Sequence, residues 1–398
     1  MLLGVLYHAV LFGGMPGGGM EPEHGGPAAA LLSWLHSFRM PLFFIISGFF
    51  CAMMLGKHGL REYLKRRWTR IGAPLLLGVF TIVPLYHAIR GMGGAGSIEG
   101  GGVVLEVALV GVPVEARAKS LSEKYLGVYG QLMRLDYLWF LWYLLIFATV
   151  VPLTGAVLRR IVPAQRRQAF GQKGEKLVRS IALPAALGAI AGPLLMMTPG
   201  TTGWSLGHAA GIFERVPEFV VHLERDMPFY LAFFIAGWVL YRHRAGLPEL
   251  AQRWLINLIM GIAIYALATR LSDRYAMERD LPHYGLARLG GCLLYAAGSA
   301  FTAFGFLGWF QMHLDRPNRL GRYLAETAFW VYMVHQPILA AILRPLSAWR
   351  LPWWAQGILA SGCTATIALA LYELLVRPTL LARLFGPGQG QRRSAPRG

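Results

Sequence analysis

The chain has 398 residues, of which 55% are hydrophobic and only 15% charged. Soluble domains carry about 25% charged residues, and here the apolar residues gather into long runs, so an ordinary soluble fold is excluded. A net charge of +18 raises the possibility of a nucleic-acid partner, but the sequence holds no recognisable nucleic-acid module, and the placement of the charge explains it better.

Crossing the hydrocarbon core as a helix takes about 18 or more apolar residues. In chain order, ten segments read as spans: 1–14, 35–55, 71–89, 137–157, 181–198, 228–241, 254–270, 288–310, 324–343 and 353–376. The sixth is short and the seventh weakly apolar. Gly and Pro interrupt several of them, which membrane helices tolerate when neighbours satisfy the freed backbone groups. The expected fold class is therefore an all-α integral membrane protein, with about ten transmembrane helices in one bundle. That membrane domain would cover residues 1–385, followed by a disordered basic tail over 386–398. The first span is anomalous. As a helix it measures about 20 Å against about 30 Å of hydrocarbon, so it reads as truncated at its N-terminus. The cysteines Cys51, Cys292 and Cys363 lie in apolar runs without metal-ligand spacing and read as small buried hydrophobes.

Charge in the loops supports the alternation. The segments 56–70, 158–180, 242–253, 311–323 and 377–398 together hold 24 Lys+Arg against 4 Asp+Glu. The rest of the chain holds 14 Lys+Arg, matched by 14 Asp+Glu once Glu326 and Glu373, inside spans, are set apart. Positive charge is retained on the cytoplasmic side, so both ends are expected there. The other side carries a Gly-rich stretch from Gly91 to Gly102 and an acidic loop with Glu214, Glu218, Glu224 and Asp226.

Ionisable groups inside spans are costly and point to function by default. His8 stands in LLGVLYHAVLF and His335 in ETAFWVYMVHQPIL. An imidazole can take the proton of an attacking hydroxyl, and each is equally readable as a buried structural histidine. His335 stands close to Pro337, where a ring nitrogen could also serve a carbonyl that the proline frees. Arg39, in HSFRMPLFFIISGFF, is expected at the membrane surface, either snorkelling to headgroups or gripping a carboxylate or phosphate. Ser47 and Gly48 form a small pair that lets another helix approach closely. The inner loop KHGLREYLKRRWTRIGAP packs Lys65, Arg66, Arg67 and Arg70 ahead of the third span. It serves as positive-inside anchoring or as a phosphate site, with Arg66 and Arg70 on one face of a helix. The aromatic run YLWFLWYLL reads as an interfacial belt. Walker, dinucleotide and zincin motifs are absent, leaving no sequence support for ATP hydrolysis, redox or zinc chemistry.

Taken in order, YHAVLF, SFRMPLFFIISGFF, KRRWTRIGAPLLLG, LWFLWYLL and ETAFWVYMVHQPIL resemble the acyltransferase-3 family of multi-spanning membrane acyltransferases, nearly end to end. Within it, the set looks most like the branch that succinylates periplasmic glucans. The resemblance implies ten helices and acyl transfer from a cytoplasmic coenzyme A thioester to a glycan or lipid-linked sugar. Acyl-CoA would be a donor substrate rather than a resident cofactor. The resemblance marks His8 as the leading catalytic residue, with His335 in support and Arg39, Arg66, Arg67 and Arg70 as substrate-binding residues. Family members carry an acidic residue and an Arg upstream of that histidine, and this chain begins after that point. A transporter or flippase of a lipid-linked or small organic substrate explains the helices, the histidines and the basic loop as well, but not the ordered family match.

Overall fold

The computed structural model describes residues 2–13, 27–91, 135–196, 227–276, 283–314, 318–349 and 351–385. Apart from their edges, the Gly-rich and acidic outer loops and the basic tail 386–398 lie outside the described residues. So do the expected disorder of that tail and any part those loops play in binding.

Every described element is helical. In chain order, α1 is Leu2–Gly13 and α2 is Pro27–His58. Next, α3 (Leu60–Arg67) runs through a π-helical turn, Trp68–Gly72, into α4 (Ala73–Leu77), and a second π-helical turn, Gly78–Ile82, leads to α5 (Val83–Gly91). A 3-10 turn, Asp136–Leu138, opens α6 (Trp139–Ile161), and α7 (Ala164–Val178) and α8 (Ala182–Met196) follow. Then come α9 (Met227–Arg242), α10 (Leu247–Gln252), α11 (Trp254–Ala276) and α12 (Tyr284–His313). Last are α13 (Arg319–Ser347), α14 (Trp353–Leu371) with a π-helical turn Tyr372–Val376, and the short α15 (Ala382–Phe385).

Each of the ten expected spans falls on a helix, but length and composition support fewer crossings. Six helical stretches among the described residues are long and apolar enough: Ala30–His58, Leu60–Ile89, Trp139–Ile161, Trp254–Leu271, Tyr284–His313 and Trp353–Val376. A seventh follows if α7 and α8, bent by 114°, count as one span. At 12 and 16 residues, α1 and α9 are short for about 30 Å of hydrocarbon. The helix α13 has the length but is punctuated by polar residues.

Helix ends follow their local chemistry. At the end of α2, Lys57 and His58 oppose the negative end of the helix dipole, and Gly59 takes the left-handed conformation, φ 73°, that stops the helix. Asn318 caps α13 by accepting a hydrogen bond from the Gly321 N–H.

The helices gather into two compact units, each assembled from separate stretches of chain. The first takes α1, the run from Trp68 through α5, the chain up to Trp142, and α13 to α15. Here α1 packs on α13 and α14, and α13 also packs on α5. Ala9, Leu339, Leu346 and Ala360 form a buried cluster, and Val10 rests against Gly357.

The second unit takes α2, α3, α6 from Tyr143 onward, and α7 to α12. Its core includes Phe44, Phe147, Phe233 and Phe234, with rings of Phe44, Phe147 and Tyr230 in contact. The close approach expected at Gly48 is made by α9. A Cβ on Gly48 would stand 1.9 Å from the Phe234 carbonyl oxygen, and one on Gly237 would stand 1.8 Å from that of Ile45. Backbone thus meets backbone, the arrangement that drives association where lipid supplies no hydrophobic force.

The second unit also shows how an interior proline is accommodated. Pro152 lies inside α6 and has no N–H to give the carbonyl four residues back, which is that of Ala148. The buried Tyr63 hydroxyl donates to that oxygen at 2.9 Å. Tyr63→Phe is expected to lower the thermal midpoint by the equivalent of about 1 kcal/mol. In a Pro152→Ala background, residue 152 regains its N–H and the same change should cost almost nothing. Thermal unfolding of the four proteins in detergent checks this, and additive effects would contradict it.

Candidate functional site

The first unit brings the two intramembrane histidines together. His8 projects from α1 and His335 from α13, with ring centroids 5.5 Å apart and planes tilted by 40°. His8 is the one basic side chain of α1. The helix is apolar from Leu2 to Gly13 apart from Tyr7, whose ring meets His8 edge-on at 5.2 Å. Val5, Tyr7 and Ala9 are buried, which fixes the rotation of α1 against its neighbours.

His335 is held more tightly, and the cause is Pro337. By the same rule as at Pro152, Pro337 leaves the Met333 carbonyl without its helical donor. The freed oxygen is not served by His335. The Tyr137 hydroxyl, 196 residues away in sequence, donates to it at 2.8 Å. The Tyr332 hydroxyl donates in return to the Tyr137 carbonyl, so the turn before α6 and the middle of α13 are latched by two reciprocal bonds. Gly78 makes room for the latch, since a Cβ there would stand 2.5 Å from the Met333 methyl and 2.9 Å from Leu138.

The latch surrounds His335. Tyr137 meets its ring edge-on at 5.6 Å and Tyr332 lies at 5.9 Å. The His335 Nδ1 lies 2.6 Å from the Tyr332 carbonyl oxygen. A carbonyl only accepts, so Nδ1 carries the proton and the neutral ring keeps its lone pair on Nε2. At 3% exposure, His335 is a buried base of defined tautomer facing a second imidazole. Such a pair can take a proton from a hydroxyl and hand it on.

The other expected site residues are distributed differently. The Arg39 side chain is packed within the protein. Because α2 begins at Pro27 and not near residue 35, Arg39 stands well inside the helix and is only 8% exposed, so it does not snorkel. Arg66 and Arg67 end α3, while Arg70 follows in the π-helical turn. The four-residue spacing that aligns Arg66 with Arg70 on an α-helix therefore crosses a wider turn. The Arg66 Nε donates to Glu62 at 2.8 Å in an exposed ion pair, and the Arg67 guanidinium lies over the Tyr63 ring, 5.4 Å from its centroid. Ser47 stays half-buried beside the Gly48 contact.

Sequence reasoning missed Tyr137 and Tyr332 as the frame of the site. Tyr137 was absorbed into an aromatic belt, of which Leu138, Leu141, Tyr143 and Leu145 are in fact buried. The available signal was Pro337, because a proline inside a span requires a donor from another element. Solid-state NMR of ¹⁵N-histidine-labelled protein, assigned through a His335→Gln spectrum, should report the Nδ1–H tautomer for His335. An Nε2–H tautomer would contradict this reading.

Comparison with known proteins agrees with the ordered motifs. The model of the acyltransferase-3 family, described as Acyltransferase domain, matches residues 1–373. The Glucans biosynthesis protein C sequences of Salmonella heidelberg (strain SL476), Salmonella typhi and Salmonella typhimurium (strain LT2) are each 24% identical to this chain over 371 residues, covering 88% of it and 82% of the relative. No solved structure matches the chain.

Proposed function

The chain belongs to the acyltransferase-3 family, and from that premise we propose that it moves a succinyl or acetyl group from a cytoplasmic acyl-CoA to a hydroxyl of a periplasmic or lipid-linked glycan, with His8 as general base. That it is a membrane acyltransferase follows from the family and from the apolar helices. The donor, the acceptor and the roles of residues are our reading, and the observation that carries it is the His8–His335 pair.

In this reading the glycan hydroxyl attacks the thioester carbonyl carbon while His8 accepts its proton. The tetrahedral intermediate collapses, the carbon–sulfur bond breaks, the acyl ester remains on the sugar, and the proton passes to the departing thiolate. His335, fixed by its Nδ1–H, offers Nε2 as an acceptor to the imidazolium formed at His8. Arg66, Arg67 and Arg70 serve the donor's phosphates, with Glu62 orienting Arg66. Arg39, a buried cation in α2, holds an anionic group of the substrate, such as the free carboxylate of a succinyl donor. The glucan acceptor is supported by the name the relatives carry. The Lys/Arg bias of the loops supports a bacterial inner-membrane location with both ends in the cytoplasm.

Purified protein in proteoliposomes, given labelled acyl-CoA and glucan, should yield an ester-linked label on the sugar. Movement of either substrate without an acylated product would instead establish a transporter. Tyr137→Phe leaves the Met333 carbonyl without its donor and loosens His335. It should lower kcat by about tenfold to a hundredfold, with little change in the KM for acyl-CoA.

A further inference from the structure

The second unit carries a groove that the proposed chemistry does not use. It encloses about 430 Å³ between the end of α2, the second half of α6 and the face of α9, within the range of small-molecule sites. Its wall is apolar, formed by residues such as Leu55, Val151 and Trp238. It opens sideways, since Val150, Leu158 and Ile235 on its walls are 50%, 49% and 43% exposed. From Val150 to Arg159, α6 lines it for about 14 Å.

One end of the groove is cationic. Arg159, in the last turn of α6, and Arg242, at the end of α9, both line it. They stand close enough for their like charges to interact. Other arginines of this unit hold glutamates, Arg66 with Glu62 and Arg179 with Glu175 and Glu249. Among the described residues, Arg159 and Arg242 have no acidic partner. Two unbalanced guanidinium groups at the mouth of an apolar slot call for an anion joined to an apolar chain. In sequence, Lys57 follows Leu55 of the groove wall, Arg160 follows Arg159, and Arg166 and Arg167 stand in the first turn of α7, a basic neighbourhood of the kind that attracts anionic lipid.

We propose that this groove is a binding site for one anionic phospholipid, with an acyl chain along Val151, Ile235 and Trp238 and its phosphate shared between Arg159 and Arg242. The site is independent of the acyl-transfer reading, because it involves neither histidine.

Gly155 provides a clean probe. It lines the groove, and a Cβ built on it meets nothing within 4 Å, so the side chain of Gly155→Leu starts in open space within the slot. Native mass spectrometry of the full chain from nanodiscs containing phosphatidylglycerol and phosphatidylethanolamine should show one phosphatidylglycerol retained selectively. Arg159→Gln/Arg242→Gln should reduce that retention by about tenfold or more. Gly155→Leu should reduce it comparably with both arginines intact, neither variant having a thermal midpoint below the wild type. Equal retention of the two lipids would overturn the proposal, as would wild-type retention in both variants. Stoichiometric displacement of phosphatidylglycerol by an acyl-CoA would also overturn it, assigning the groove to the donor.

Discussion

A proline inside a membrane helix frees one backbone carbonyl, and hydrocarbon offers no water to satisfy it. This protein answers that constraint twice in the same way. Tyr63 donates to the oxygen freed by Pro152, and Tyr137 to the oxygen freed by Pro337. In the first case the result is a tie between α3 and α6. In the second it is the site itself, because the carbonyl that needs a donor lies two residues before His335. Tyrosine suits the task, since its hydroxyl reaches the carbonyl while its ring packs among apolar neighbours.

From that bond the rest of the site follows in sequence. Tyr137 is drawn against α13, the Tyr332 hydroxyl returns a bond to the Tyr137 carbonyl, and the Tyr332 carbonyl holds the Nδ1–H of His335. The tautomer of a histidine on α13 is thus set by the Tyr332 carbonyl, whose own residue is tied to Tyr137 in a distant turn. His8 meets this assembly from α1, a helix whose packing on α13 and α14 fixes its rotation. If acyl transfer uses this pair, as proposed, a proline whose freed carbonyl is bonded from another element would hold the imidazole at a defined angle without a polar network exposed to lipid.

Much of this was legible in the sequence. The helical segments were given by apolar runs, His8 and His335 by the cost of an imidazole in such a run, and Gly48 by its small neighbour Ser47. Three things were not. Arg39 was expected close to the start of a span beginning at residue 35, whereas α2 begins at Pro27 and the Arg39 side chain is buried against protein. The number of crossings was read as ten, and among the described residues helix length and composition alone support six, or seven if α7 and α8 form one span, because α1 and α9 are short and α13 is interrupted by polar residues. The partners of the two freed carbonyls could not be read at all. A proline announces that a donor is needed, but which tyrosine supplies it is a tertiary fact, spanning 85 residues in one case and 196 in the other.

The central claim is that the imidazole of His8, paired with a positioned His335, takes the proton in acyl transfer. It is tested most directly by single-turnover acyl transfer to glucan by His8→Ala, with the thermal midpoint measured on the same preparation. The account predicts a rate lowered by about 10² to 10⁴ at an unchanged midpoint. Transfer at the wild-type rate would contradict it.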